Sequence, residues 1–464
     1  EVTIRVNRPV EQVSVSPARL GVVARDLRLQ EDRSAGLERS RFVIRLPGAG
    51  HYVVLVDQME YLFLFVSDPG ATLLTEGAAV RSLADYDVYP VPGRADSVPA
   101  GAPAVTEALQ AAIDDAAACA DVAALRVPAG IYVTGPFCLP SGTRLHLDPG
   151  AVLLGSDRPD QWPSIDELTG VSRLAGRRAF VVVNGATDVA ISGHGVIDAN
   201  GVSMATQGVA SRLLVASGSR KLRVRDVVLR DSGGWNTQIL DCDDVVFERV
   251  KVLNNRPHAN WTNTDGINPD GSRNVAIRGC FFHTGDDCVA VKTSGAANGA
   301  PTRNVEVEDA VCIGSCAALK IGTETVSSRM SSIAFRRCDV IISRRAMVIA
   351  AFDHAAISDV DFTEIWVERL DERPGIQRPV LIDFNAPASA FRPLAGESSV
   401  SGVRVNGVTS AAPYPSIIAG RDAEHRVADV RISDVTVAGR RVSSLDELGV
   451  TVGPHAECEN AFGE

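Results

Sequence analysis

At 464 residues the chain exceeds one ordinary core, so length alone asks for two or three domains or for one elongated fold. A net charge of -11 without any Lys/Arg-rich block excludes nucleic acid or an anionic membrane as the main partner, and no apolar run approaches the ~20 residues of a membrane span. The 45% hydrophobic content with 40 Gly and 24 Pro describes a turn-rich globular protein.

Residues 1 to about 75 contain short alternating runs, "EVTIRV", "VSVSP", "RFVIRLP", "YVVLVD" and "YLFLFVSDP", separated by polar or Gly/Pro turns. They predict a small antiparallel β-sandwich domain over residues 1–90. The Pro/Gly/Ala-rich stretch at 88–103 places a linker at 91–104. In "AVTEALQAAIDDAAACA", Val105, Leu109, Ala112, Ile113 and Ala116 fall at helical spacing, which predicts one amphipathic helix capping the open end of an elongated domain.

The remainder repeats loosely. Strand-like pieces such as "DVAISGHGVID" at 188, "DVVFERVKV" at 244, "NVAIRGC" at 274 and "NVEVEDAVC" at 304 recur every two to three dozen residues with apolar residues at alternate positions. Strands without helices at such a period predict a parallel β-helix over 105–464; a propeller would need four antiparallel strands in each longer repeat. The fold class is therefore all-β, a right-handed parallel β-helix preceded by a β-sandwich.

Within it, "NTDGINPDGSRNVAIRGCFFHTGDDC" places Asp265 21 residues before the adjacent pair Asp286 and Asp287. One turn of a short coil returns the chain to the same side, displaced by ~4.8 Å, so this spacing predicts three carboxylates on one patch. Like charges raise one another's proton affinity, which lets a protonated and an ionised carboxyl coexist, the apparatus for cleaving a glycosidic bond. A solvated turn or a calcium site are the competing readings of the same residues.

"NTDG" followed by "GDDC" resembles the signature of glycoside hydrolase family 28, the polygalacturonases and relatives on right-handed β-helices. The likeness extends through 126–156 and "GHGVIDANG" at 193–201 and covers roughly residues 105 to 385. It implies Asp286 as general acid, Asp265 and Asp287 activating water, inversion of the anomeric centre, a polysaccharide or oligosaccharide substrate, no cofactor or metal, and a secreted location. The opening on "EVTIRV" is what a mature chain trimmed of its leader would show.

Two departures bear on the substrate. Ser315 stands where the family's Gly-His-Gly would put His, and "RRAMVIAAFD" at 344–353 replaces the Arg-Ile-Lys that grips a sugar carboxylate. An Ile or Met cannot hold a carboxylate, so the departures predict a neutral or only partly acidic glycan. The order sandwich then β-helix also resembles the dextranase and isopullulanase group, which keeps an α-glucan in view; a polysaccharide lyase and a non-catalytic carbohydrate-binding solenoid are the rivals from other classes.

Around the trio, Asn263, Trp235, Trp261, His258, His283, Lys292 and Lys320 are candidate substrate-binding residues. Trp235 and Trp261 serve equally as corner packing, the two histidines as loop hydrogen-bonders, and Lys320 as a solvated ladder residue. Nine cysteines without any Cys-x-x-Cys pair predict mostly buried apolar thiols and no zinc site, with room for one or two disulfides.

Overall fold

The computed structural model describes residues 2–6, 10, 12–32, 37–57, 60–67, 79–93, 98–102, 104–119, 121–170, 174–254, 261–295, 299–371, 378–386 and 398–462. They fall into two compact units, 1–73 and 74–464.

The first unit has two three-stranded antiparallel sheets. Val2–Val6 and Ala24–Asp32 flank Leu37–Ile44, and Val13–Ser16 and Glu60–Val66 flank Gly50–Val56. Phe42 and Ile44 of one sheet share a core with Val15, Tyr52, Val54 and Val56 of the other, which makes the pair a sandwich. The expected boundary at residue 90 runs past this unit: Val80–Ser82 pairs in parallel with Ala124–Val127 of the second.

The second unit is a parallel β-helix. One face is an eleven-stranded sheet whose order simply skips along the chain, and two more faces share a 22-stranded sheet because their strands merge at the corners. Alternation dictates the core. Val245, Val275, Val305, Ile333, Val360, Val403 and Val430 follow one another in register, each displaced by one coil, and all are buried. Phe335, Phe362 and Phe384 stack inside at centroid separations of 4.9 and 5.5 Å.

The corners need backbone that turns sharply while keeping register. Left-handed residues supply it at matching places on successive coils: Asp244, Asn274, Asn304, Ser332, Asp359 and Gly402 at one corner. Asn and Asp tolerate this region better than most side chains, and Gly meets no penalty there.

Helix Thr106–Ala118 buries Leu109, Ala112 and Ile113 in the same core as the first coils. Gln110 donates to the Cys138 carbonyl at 3.0 Å and accepts from its N–H at 2.8 Å, so the helix satisfies the edge strand Phe137–Cys138 of the eleven-stranded sheet. No disulfide is formed: all nine cysteines are free, and five are fully buried in the coils, where each thiol packs as a small apolar group.

Candidate active site

The site is one column of residues at the corner where the chain enters the eleven-stranded sheet. Arg212 pairs with Ala179 below it, and above it the Leu213 N–H donates to the Trp235 carbonyl. The Asn236 N–H then donates to Asp265 O, the Gly266 N–H to Asp287 O and the Cys288 N–H to Ala317 O, and Ala317 pairs with Arg345. Parallel pairing thus stacks Arg212, Trp235, Asp265, Asp287, Ala317 and Arg345 on consecutive coils.

The coil step here is 22 residues rather than 21. Ile267 bridges to Val289 and Asp270 pairs with Lys292, so Asp265 stands level with Asp287 and Asp286 precedes them at the bend.

Asp265 and Asp287 are 3% and 2% exposed, while Asp286 is half-buried and is the member of the trio with the most access to solvent. Asp287 accepts from Lys320 Nζ at 2.6 Å and from the Ala317 N–H at 3.0 Å. Asp265 accepts from Asn268 Nδ2 at 3.1 Å and pairs with Lys292 Nζ at 3.1 Å, and Lys292 also donates to Glu324 at 2.9 Å.

Their proton affinities diverge accordingly. Burial pushes Asp286 up to about 8, with the negative charges of Asp287 and Asp265 adding to it. Burial would also raise Asp287, but Lys320, Lys292 and Arg345 outweigh it and hold that carboxyl below its usual range. Burial raises Asp265 against the opposing Lys292 ammonium. Near neutrality the adjacent pair therefore comprises a protonated Asp286 and an ionised Asp287.

Lys320 is not a solvated ladder residue. It is 6% exposed and its charge is spent on Asp287, as that of Lys292 is spent on Asp265 and Glu324. Alternation does point Lys320 out of the β-helix interior, but outward on this face it meets the buried carboxylate of Asp287 rather than solvent. Trp235 carries Lys292 at 4.2 Å and Arg212 at 4.6 Å from its ring centroid, so its π system holds cations. Trp261 meets His283 edge-on at 6.4 Å, and its carbonyl accepts from Thr264, whose hydroxyl accepts from the Gly285 N–H; this ties the two Asp-bearing turns together. His283 sits on an adjoining face opposite Leu253, and burial pulls it down to about 4, so it is neutral at physiological pH. Asn263 is exposed at the cleft rim, and His258 lies outside the described residues.

Several participants were not anticipated. Glu324 balances Lys292, and Asp270 accepts from the N–H and Oγ of Ser294, both at 2.6 Å, and from Gln238 at 2.7 Å. Where His was expected at Ser315, it is Cys316 Sγ that lies within 4.8 Å of oxygens of Asp286 and Asp287. Arg345 and Arg344 approach that sulfur at 3.0 and 3.1 Å, and burial, with Asp287 close by, pushes the thiol up to about 12. A neutral thiol ringed by guanidinium groups is a poor cation ligand.

The chain matches the description "Glycosyl hydrolases family 28" over residues 164–453, more than half its length and including every residue of the column. The chain is a member of glycosyl hydrolase family 28. Similar curated proteins include a probable polygalacturonase of Vitis vinifera, 33% identical over 44% of this chain and 44% of its own, and an endo-polygalacturonase of Pectobacterium carotovorum subsp. carotovorum, 26% identical over 48% and 58%. The chain spans about half the length of these relatives. Among solved structures, the exopolygalacturonase of Thermotoga maritima superposes with a TM-score of 0.63 at 16% identity over 82% of this chain and 90% of that one. The polygalacturonase of Erwinia carotovora ssp. carotovora gives 0.57 at 19% over 85% and 98%. These likenesses show the right-handed parallel β-helix fold expected from the sequence.

Proposed function

We propose that this family 28 member hydrolyses an O-glycosidic bond in a galacturonate-bearing, pectin-type glycan, with Asp286 as the general acid and Asp265 and Asp287 orienting and deprotonating the attacking water. One observation carries the reading: an adjacent carboxyl pair whose members are driven to opposite protonation states, one by burial, the other by Lys320. Asp286 holds a proton to give the leaving oxygen. Asp287 and Asp265 remain behind it, held by lysines, as the acceptors.

The apolar replacement of the downstream carboxylate grip argued for a neutral sugar. Against it, Arg177, Arg178 and Arg212 line the cleft beside Trp235 and Asn263, and a cationic wall favours an acidic glycan. The names of the relatives, polygalacturonases, agree with that choice. Such a substrate lies outside the cell, where we place the protein.

Stereochemistry is the sharpest chemical question. An inverting pair ordinarily stands ~6.5–9.5 Å apart to admit a water, whereas oxygens of Asp286 and Asp287 come within 4.8 Å. Inversion here requires the water to sit on Asp265 and Asp287 together rather than between the pair. Reducing-sugar release should be measured on polygalacturonan, rhamnogalacturonan, dextran, pullulan and arabinan, with the anomer of the first product followed by NMR. Release from a galacturonate polymer with inversion is expected. Turnover confined to dextran or pullulan would move the substrate to an α-glucan, an ultraviolet-absorbing unsaturated product would make the enzyme a lyase, and no release from any polymer would leave a binding solenoid.

A further inference from the structure

Arg212 is 8% exposed, yet no carboxylate pairs with it among the described residues. Its guanidinium donates to the neutral Oε1 of Gln238, whose Nε2 donates to Asp270 at 2.7 Å, and it lies 4.6 Å over the Trp235 ring. A guanidinium offers five N–H donors, and Asp270, Asp265 and Glu324 attract this one only from beyond ion-pair distance, so its burial is costly. The cost shows in its proton affinity: burial, then the neighbouring charge of Arg177, pulls Arg212 down to about 9.

The same residue lines a cavity of about 490 Å³. Around it stand Arg177, which is exposed, Arg178, whose Nε donates to the Trp162 carbonyl at 2.8 Å, and Ser211, whose buried Oγ has no hydrogen-bond partner. Glu324 closes the wall toward Lys292, and Lys292 touches Asp265. The cavity is thus one ion pair away from the catalytic trio, on the side of the earlier coils. A charged donor, an orphaned hydroxyl and an aromatic side chain in one recess are what a sugar bearing an anion would fill.

We propose that Arg212, assisted by Arg177, is the specificity-determining group that reads a sugar carboxylate in this upstream recess, a role moved to the opposite side of the trio from the downstream segment 344–353. The assignment rests on the hydrolase reading. Arg212 receives the carboxylate, Arg177 adds charge at the mouth, and Ser211 takes a ring hydroxyl. Gln238 and Trp235 fix the guanidinium in place. Arg345 is already occupied by Asp383 at 3.3 Å and by Cys316.

Binding is measured by calorimetry in the Asp286→Asn protein, with trigalacturonate and with its carboxyl-reduced trisaccharide as probes. Added Arg212→Gln or Arg177→Gln should weaken trigalacturonate by roughly ten- to a hundredfold and several-fold respectively, the size of charge-assisted contacts, and leave the reduced sugar unchanged. If Arg212→Gln does not fold, the exposed Arg177 answers alone. The proposal falls if trigalacturonate does not bind, if the arginine variants weaken both sugars alike or neither, or if Arg344→Gln takes the acid-specific loss instead. Arginine-dependent binding of trigalacturonate without reducing-end release in the wild type would uphold the subsite while removing the hydrolase reading. Hydrolysis indifferent to both arginines would do the reverse.

Discussion

Lys320 Nζ lies 2.6 Å from Asp287 Oδ2, and both side chains are almost wholly buried. Neither charge can be removed without stranding the other. Lys320→Met should cost ~3–5 kcal/mol of stability, because a buried carboxylate is left without its nearest cation. It should also reverse the direction of the Asp287 shift, since burial then acts unopposed by its nearest cation. The acid limb of kcat/KM would move to higher pH. A variant that melts like the wild type, with an unmoved acid limb, would show that the pair sets neither stability nor protonation.

Asp286 titrates in the opposite sense. With the folded group raised to about 8 from a usual 3.8, the folded state binds more protons than the unfolded one, so this group's contribution to stability declines as pH rises through that interval. Activity that needs the proton should fall above about pH 8, about tenfold per unit. Asp286→Asn removes the ionisation altogether. Its rate should drop by ~10²–10⁴-fold, while its melting temperature exceeds the wild type's at pH 8 and matches it near pH 4. Equal melting temperatures at both pH values would mean that Asp286 carries no such burden.

The sequence makes the trio legible and conceals its supports, for a physical reason. Asp265 and the Asp286–Asp287 pair are a single coil step apart, so the short spacing that joins them can be read directly along the chain. The rest of the column reaches across coils whose lengths differ because loops of unequal size leave the corners: from Arg212 to Trp235, Asp265, Asp287, Ala317 and Arg345 the steps are never the same twice in succession. Lys320, between Leu319 and Ile321, shows by alternation only that it points outward; nothing local tells a cleft from solvent. The repeats themselves were readable because core positions such as Val245, Val275 and Val305 tolerate only apolar side chains.

That core gives a prediction independent of the chemistry. Phe362 stacks between Phe335 and Phe384 with all three fully buried, and each ring belongs to a different coil. Phe362→Ala should leave a cavity spanning three coils and cost ~3–5 kcal/mol in chemical denaturation. Phe362→Leu, which refills most of the space, should recover the larger part. If both variants lost equally, volume would not be what the stack contributes.

Glu324 supplies the last test, one of sign. It accepts from Lys292 at 2.9 Å and also faces the recess that holds Arg212. Burial would raise it, but Lys292 prevails and keeps it below its usual range, so it is ionised when substrate arrives. An acidic sugar entering the recess is repelled by it, on the order of 1 kcal/mol through a partly polar medium. Glu324→Gln should therefore tighten trigalacturonate several-fold and leave the carboxyl-reduced trisaccharide unaffected, measured in the Asp286→Asn background so that turnover does not intrude. Lys292 loses one of its two anions in this variant and its remaining attraction falls on Asp265, which favours ionised Asp265. Tightening of both sugars alike would point to repacking of the wall, and weaker binding of the acid would mean that Glu324 positions the recess through Lys292 more than it opposes the incoming charge.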